Sequence, residues 1–194
     1  MTKSLNDIDI NKIDLNKHKI IIPKGTALYR VIEKGRDPLI PSGKECRFAK
    51  EPQQYTPEKY AEEYKQGHGA LVGTGNICGS FCLEVAIKES GGYVKNPVTY
   101  KITLKLDIEA VNMDSICVDE GIPKPYITED REGVWHEFYG EKVKAIRYES
   151  LKDNANYNLV MFPDSIDDFA NMFIVEEILG ENLGRSRKCQ HIKL

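Results

Sequence analysis

The sequence lacks most of the signals that announce a function. No apolar run reaches 18 residues and the mean hydropathy is −0.45, so no transmembrane helix is expected. The opening, MTKSLNDIDINKIDLNKHK, has no uncharged apolar stretch and no small-residue cleavage site, so no secretory signal peptide is expected. Charge of one sign is also scarce. Lys and Arg number 27 against 30 Asp and Glu, a formal net charge of −3, which argues against a protein held to nucleic acid by bulk charge. Five cysteines (Cys46, Cys78, Cys82, Cys117, Cys189) form an odd set without C-x-x-C spacing. A disulfide scaffold is not expected, and a reducing compartment is. Cys78 and Cys82 would need two further zinc ligands, and neither His68 nor His136 has ligand-like spacing to them. The expected cysteines are small buried hydrophobes, and no metal is expected.

Nucleotide and hydrolase signatures are missing too. There is no Gly-x-Ser-x-Gly elbow. Gly73-Thr-Gly75-Asn-Ile-Cys-Gly79 places Cys78 where the dinucleotide fingerprint needs its third glycine, and Gly79-Ser80 lacks the P-loop lysine. These glycines are read as assisting a helix entry. The four histidines are read as surface or turn residues.

What is present fits one ordinary domain. Hydrophobic residues make up 41% of 194 and charged residues 29%, enough for a buried core. Neither repeats nor low-complexity blocks occur. Residues 1–24 read as a polar lead-in, 25–180 as one domain, and 181–194 as a mobile tail. A turn at Pro23-Lys24-Gly25 precedes a strand over 27–32. Residues 33–47 read as a loop. Thr56-Pro57 starts a helix to about Lys65, and 69–74 is a short strand. From Asn76 to Glu89 the helical period puts Ile77, Phe81, Val85 and Lys88 on one face. Tyr100 to Ile108 alternates strictly and is the cleanest strand. Residues 114–141 are loop-rich. Strands are expected over 143–148 and 158–162, separated by a polar loop. Ser165 to Asp168 suggests a short helix, and 172–179 a strand or a helix. The mix is α+β: a compact core of mixed strands flanked by helices, without regular βαβ spacing.

Five segments in order carry a sharper signal. They are Leu28-Tyr29-Arg30-Val31; Cys46-Arg47-Phe48; Cys82-Leu83-Glu84-Val85; Ala145-Ile146-Arg147-Tyr148-Glu149-Ser150; and Asn158-Leu159-Val160-Met161-Phe162. Together they resemble the RES domain, found in the toxins of RES–Xre toxin–antitoxin modules. The family pattern runs L-Y-R, G-R-W-N, a V-Y-T strand, a helix with A-L-x-E, then I-x-Y-x-S and N-L-V-x-F. The resemblance spans roughly residues 25 to 165. It puts Arg30 in L-Y-R, Arg47 in G-R-W-N, Glu84 in A-L-x-E and Ser150 in I-x-Y-x-S. Phe48-Ala49 replaces Trp-Asn, and Cys46 replaces the Gly before the arginine. Gly73 stands where the family strand has a tyrosine, unless Tyr60 or Tyr64 fills that space.

The resemblance implies an ADP-ribosyltransferase-like fold and a cytoplasmic toxin that consumes NAD as its substrate, by hydrolysis or phosphorolysis. Delivery of such a toxin into a target cell is also open. Breaking the nicotinamide–ribose bond passes through an oxocarbenium-like centre, which a carboxylate, here Glu84, would stabilise. Arg30 and Arg47 would hold the pyrophosphate through bidentate forks, with Arg47 also serving catalysis, and Ser150 would bond a phosphate or the nicotinamide end. The implied partner is an antitoxin or immunity protein covering the cleft. Neither a membrane nor a nucleic acid is expected as a partner. Two other readings stay open: a degenerate RES-like module that binds a nucleotide or a protein without turnover, and a protein ADP-ribosyltransferase. Glu84 and Arg47 could equally form a structural ion pair. Strand alternation puts Ser150 on the face of Ile146 and Tyr148, where it either lines a cleft or merely caps the turn after it.

Overall fold

The computed structural model describes residues 7, 9–35, 37–39, 77–90, 94, 96–123, 143–150 and 152–178. Eight strands form one sheet: β1 (Lys19–Ile22), β2 (Ala27–Glu33), β3 (Ile77–Ser80), β4 (Pro97–Leu104), β5 (Ile108–Asn112), β6 (Ala145–Ser150), β7 (Asp153–Met161) and β8 (Phe173–Ile178). Two α-helices are described, α1 (Leu83–Ser90) and α2 (Met113–Asp119). The strand order is β1-β5-β6-β7-β3-β2-β4-β8. All neighbours run antiparallel except the parallel pair β5–β6. The α+β expectation holds.

Chain connectivity forces this sheet to curl. β4 and β5 lie five places apart in the order, yet only residues 105–107 join them. Five spacings in a flat sheet cover about 24 Å. Four Cα steps reach about 14 Å at most. The link from β1 to β2 is similarly short, residues 23–26, across the same five places. Both links lie together at one corner. There the Gly25 N–H donates to the Leu104 carbonyl (2.8 Å) and the Lys24 N–H to Asp107 Oδ1 (2.7 Å). Gly25 adopts φ +83°, a region open to glycine. The sheet is therefore a curled half-barrel.

Each face of the sheet has its own core. One cluster joins Ile10, Val111, Met113, Ile116, Ile146, Tyr148, Val160 and Phe162. The other joins Ile22, Leu28, Ile77, Ile102, Leu104, Ile108, Leu159, Met161 and Phe173. α1 adds Leu83 and Ala86 against Ala27 and Tyr29 of β2.

Several expectations change. The segment expected as one helix from Asn76 is a strand followed by a helix. Ile77 to Ser80 pair with Met161 to Asn158, and Ser80 also with Tyr29. Two neighbouring strands offer main-chain bonds that outweigh the local helical period. Gly79 is thus mid-strand rather than at a helix entry, and an added Cβ there would lie 3.1 Å from Leu28 Cβ. The alternating run 100–108 splits into β4 and β5, because Leu106 turns outward at the corner and is 59% exposed. α2 occupies part of the expected loop after 113, capped by the Asn112 side chain accepting from the Ser115 N–H. The polar stretch after Ser150 is not a loop but most of β7, in a hairpin with β6. The short helix near 165 is a pair of 3-10 turns, Pro163–Ser165 and Phe169–Met172, and the last element is a strand. The lead-in is docked: Ile10 is in the core and β1 pairs β5. His18 is buried rather than at the surface, with Nδ1 3.0 Å from Ser115 Oγ. Cys78 and Cys117 form no disulfide, but Cys82 is disulfide-bonded, contrary to expectation. Burial pushes the Cys117 thiol up to about 12, with Asp114 adding to the effect. The expected helix over 56–65, the strand over 69–74 and the C-terminal tail lie outside the described residues.

Crowding at Gly79 has a measurable consequence. Gly79→Val adds branched carbon where the first atom already meets Leu28. Overpacking of this kind costs about 1–3 kcal/mol. The denaturant midpoint should fall accordingly, and an unchanged midpoint would mean that β2 and β3 separate easily.

Candidate functional site

β6, β7, β3 and β2 carry a row of side chains across one face of the sheet. The register runs Tyr148↔Asn158, Asn158↔Ser80 and Ser80↔Tyr29. Residues two apart in a strand share a face, so Ile146, Tyr148 and Ser150 align along β6, and Asn158 and Val160 along β7. α1 follows β3 directly and lies over this row, with Leu83 and Ala86 packed on Tyr29.

The helix brings a carboxylate to the row, and it is Glu89. Ser150 Oγ donates to Glu89 Oε1 at 2.7 Å, and Asn158 Nδ2 donates to the same oxygen at 2.7 Å. Asn158 Nδ2 lies 3.4 Å from the Tyr148 hydroxyl, which sits 3.2 Å from Cys78 Sγ. Both Ser150 and Asn158 are 1% exposed, while Glu89 is half-buried. Since a carboxylate only accepts, the amide must turn its NH2 end toward Glu89. Short bonds to an ionised acceptor are the strong kind, and here two of them fix one oxygen. Glu89 Oε2 makes no hydrogen bond among the described residues and is free to meet a ligand or water.

Glu84 does not reach this group. It lies in the first turn of α1 and is exposed. Five residues separate it from Glu89, about 140° around the helix. Glu89 instead follows buried Val85 by four and buried Ala86 by three, on the inward side. The signal was present in the chain: Ala86-Ile87-Lys88-Glu89 spells A-x-x-E, with Ile in the Leu position. The helix itself begins at Leu83, so Glu84 falls in its first turn and Glu89 in its last.

Ser150 is where alternation put it, on the face of Ile146 and Tyr148, and it caps the turn while also bonding Glu89. Its oxygen caps the turn by accepting from the Lys152 N–H at 3.1 Å, and its only proton goes to Glu89. It cannot also donate to a phosphate without releasing Glu89, so the structure makes it a carboxylate holder. Arg30 is 3% exposed, and its Nη1 donates to the Cys78 carbonyl at 3.2 Å. β2 and β3 share one bridged pair, Tyr29↔Ser80, and Arg30 supplies a donor to β3 just beyond it. Alternation sets Arg30 on the Leu28 side of β2, so it touches the group at the Cys78 main chain. Arg47 and Gly73 lie outside the described residues, as do His68, His136 and His191. The strand that leads into the helix is β3, with Cys78 at its second position.

A second charged set lies beside the row. Arg147 Nη2 reaches Asn112 Oδ1 (3.3 Å) and Asp114 Oδ2 (3.4 Å), and the guanidinium stacks 4.0 Å above the centre of the Tyr157 ring. Asp114 Oδ1 also accepts from the Glu149 N–H at 3.1 Å. Burial nevertheless holds the Asp114 carboxyl above its ordinary range, outweighing the Glu149 N–H and Arg147, which favour the charged form.

No family model and no curated protein matches the chain. Its fold is similar to that of a chain in the crystal structure of the M. tuberculosis MbcT–MbcA toxin–antitoxin complex. That likeness has a TM-score of 0.57 with 10% identical residues, and covers 89% of this chain and 94% of the other. At that identity the likeness is one of fold. No helix among the described residues is long and apolar enough to cross a membrane.

The raised Asp114 carboxyl makes stability depend on pH. Acidification protonates the folded state before the unfolded chain, so this group's contribution grows as the pH falls toward the ordinary aspartate value of about 3.9. Asp114→Asn removes that response. Urea midpoints taken from neutral pH down to acid should show the wild type gaining on the variant, whereas parallel profiles would contradict the burial account.

Proposed function

We propose that this chain is a RES-type toxin that consumes NAD by breaking the nicotinamide–ribose bond. The observation that carries the reading is Glu89, a carboxylate with one oxygen fixed by Ser150 and Asn158 and the other unengaged. The fold likeness to a chain of a toxin–antitoxin complex supports it. In this reading the glycosidic C–N bond breaks with its electron pair leaving on nicotinamide. The ribose carbon becomes oxocarbenium-like, and the Glu89 carboxylate stabilises it from a position set before the substrate arrives. Water or phosphate then adds to that carbon and loses a proton. Arg47 would bring charge for the pyrophosphate, while Arg30, buried on the Leu28 side of β2 and donating to the Cys78 carbonyl, would hold β3 beside β2. An antitoxin that covers the cleft is the corresponding partner.

Incubation of purified protein with NAD, followed by chromatography, tests this. NAD should disappear without labelling the protein. Unchanged NAD would favour a binding module without turnover, and labelled protein would favour ADP-ribosyl transfer. Glu89→Gln should lower turnover by about 100- to 1000-fold, the usual cost of losing one preorganised electrostatic group. Glu84→Gln should leave turnover within about twofold of wild type, because Glu84 is exposed in the first turn of α1, about 140° around the helix from Glu89. Loss in Glu84→Gln with Glu89→Gln largely active would return the carboxylate role to Glu84.

A further inference from the structure

We infer that Asn158 is a positioning residue that sets the Glu89 carboxylate for reaction, an inference that rests on the reading of Glu89 above. Asn158 sits on β7, which is paired on both sides, with Tyr148 across one ladder and Ser80 across the other. Its backbone is therefore held by two neighbours, and its side chain is 1% exposed. From this fixed base the amide donates to Glu89 Oε1 at 2.7 Å. Ser150 donates to the same oxygen, but from the end of β6, where the ladder register shifts between Glu149 and Ser150. The firmer anchor is the one in the middle of the sheet.

The amide is not explained by packing alone. Asn158 Oδ1 is buried and has no hydrogen-bond partner among the described residues. A buried acceptor left unmet carries a desolvation cost that an aliphatic side chain would avoid. The same side chain meets Glu89 with its other end. An aspartate would fit the space but would set a second carboxylate against the first, and the pair would then share one proton. Only the amide offers a permanent donor of this length. It fixes Oε1 beside Ser150 and β7 and leaves Oε2 without a hydrogen bond among the described residues.

The test compares NAD consumption by the wild type, Asn158→Ala and Asn158→Asp between about pH 5 and 8, with a thermal melt of each protein at each pH. Misplacing a catalytic group by about 1 Å costs about 100-fold in rate. For N158A we expect kcat to fall by about that factor with KM changed less than about threefold, since the loss is confined to the transition state. N158D should be nearly inactive at neutral pH. Its kcat relative to wild type should then rise as the pH falls, because the protonated acid donates to Glu89 as the amide did. A merely structural role would lower the melting temperature without this acid recovery. A flat N158D-to-wild-type ratio, or an N158A effect on KM alone, overturns the inference while the activity stands. Wild type that leaves NAD intact overturns the reading of Glu89, and the inference with it. Should N158A melt below the assay temperature, the near-isosteric N158D profile decides.

Discussion

Two short links bind the whole architecture. Residues 23–26 and 105–107 must each join strands five places apart in the sheet, and a flat sheet would put those strands beyond the reach of either link. Curling is the solution that keeps both links and every ladder. It also sets the fate of side chains at the corner. Leu106 is expelled into solvent there, while Leu104 and Ile108 on either side of it stay in the core. The corner is held by main-chain bonds from Gly25 and Lys24, so it depends on a glycine conformation as much as on apolar burial.

Within that frame, polar groups are sorted by face. One face carries Tyr148, Asn158, Ser80 and Ser150; Ser150 and Asn158 bond Glu89 from α1, and Tyr148 links Asn158 to Cys78. The adjoining set centres on Arg147, which binds Asp114 and stacks on Tyr157. Arg147 and Tyr148 are consecutive, so alternation alone sends them to different neighbours. Each set holds its polar atoms in surroundings poor in water, where bonds to charged groups strengthen and unmet groups cost more. Asp114 shows the second effect, its carboxyl raised by burial despite an arginine beside it. Glu89 shows the first, with two short bonds on one oxygen.

In the proposed reaction, a carboxylate held in this way would meet positive charge developing on a sugar carbon. The rigid parts are a central strand, a strand end and a short helix, and each contributes one group. Neither of the two contacts is local: Ser150 and Asn158 lie 61 and 69 positions from Glu89 in the chain. Such a site forms only when β6, β7 and β3 have paired, since these adjacent strands and the helix after β3 supply its groups.

The sequence by itself determined the strand faces. Period-two alternation is written into Ile146-x-Tyr148-x-Ser150 and Asn158-x-Val160, and backbone geometry leaves those residues no other arrangement once a strand forms. The α+β class, β2 and the position of Ser150 were legible for that reason. Which carboxylate meets Ser150 was decided only by tertiary structure. The segment from Asn76 to Glu89 has an acceptable helical period and reads on local grounds as one helix, in which the family resemblance points to Glu84 as the carboxylate. The open edges of β7 and β2 convert Ile77 to Ser80 into a strand, which delays the helix to Leu83 and turns Glu89 inward. Those edges belong to residues roughly 50 and 80 positions away, and no local periodicity records a bond made across that distance.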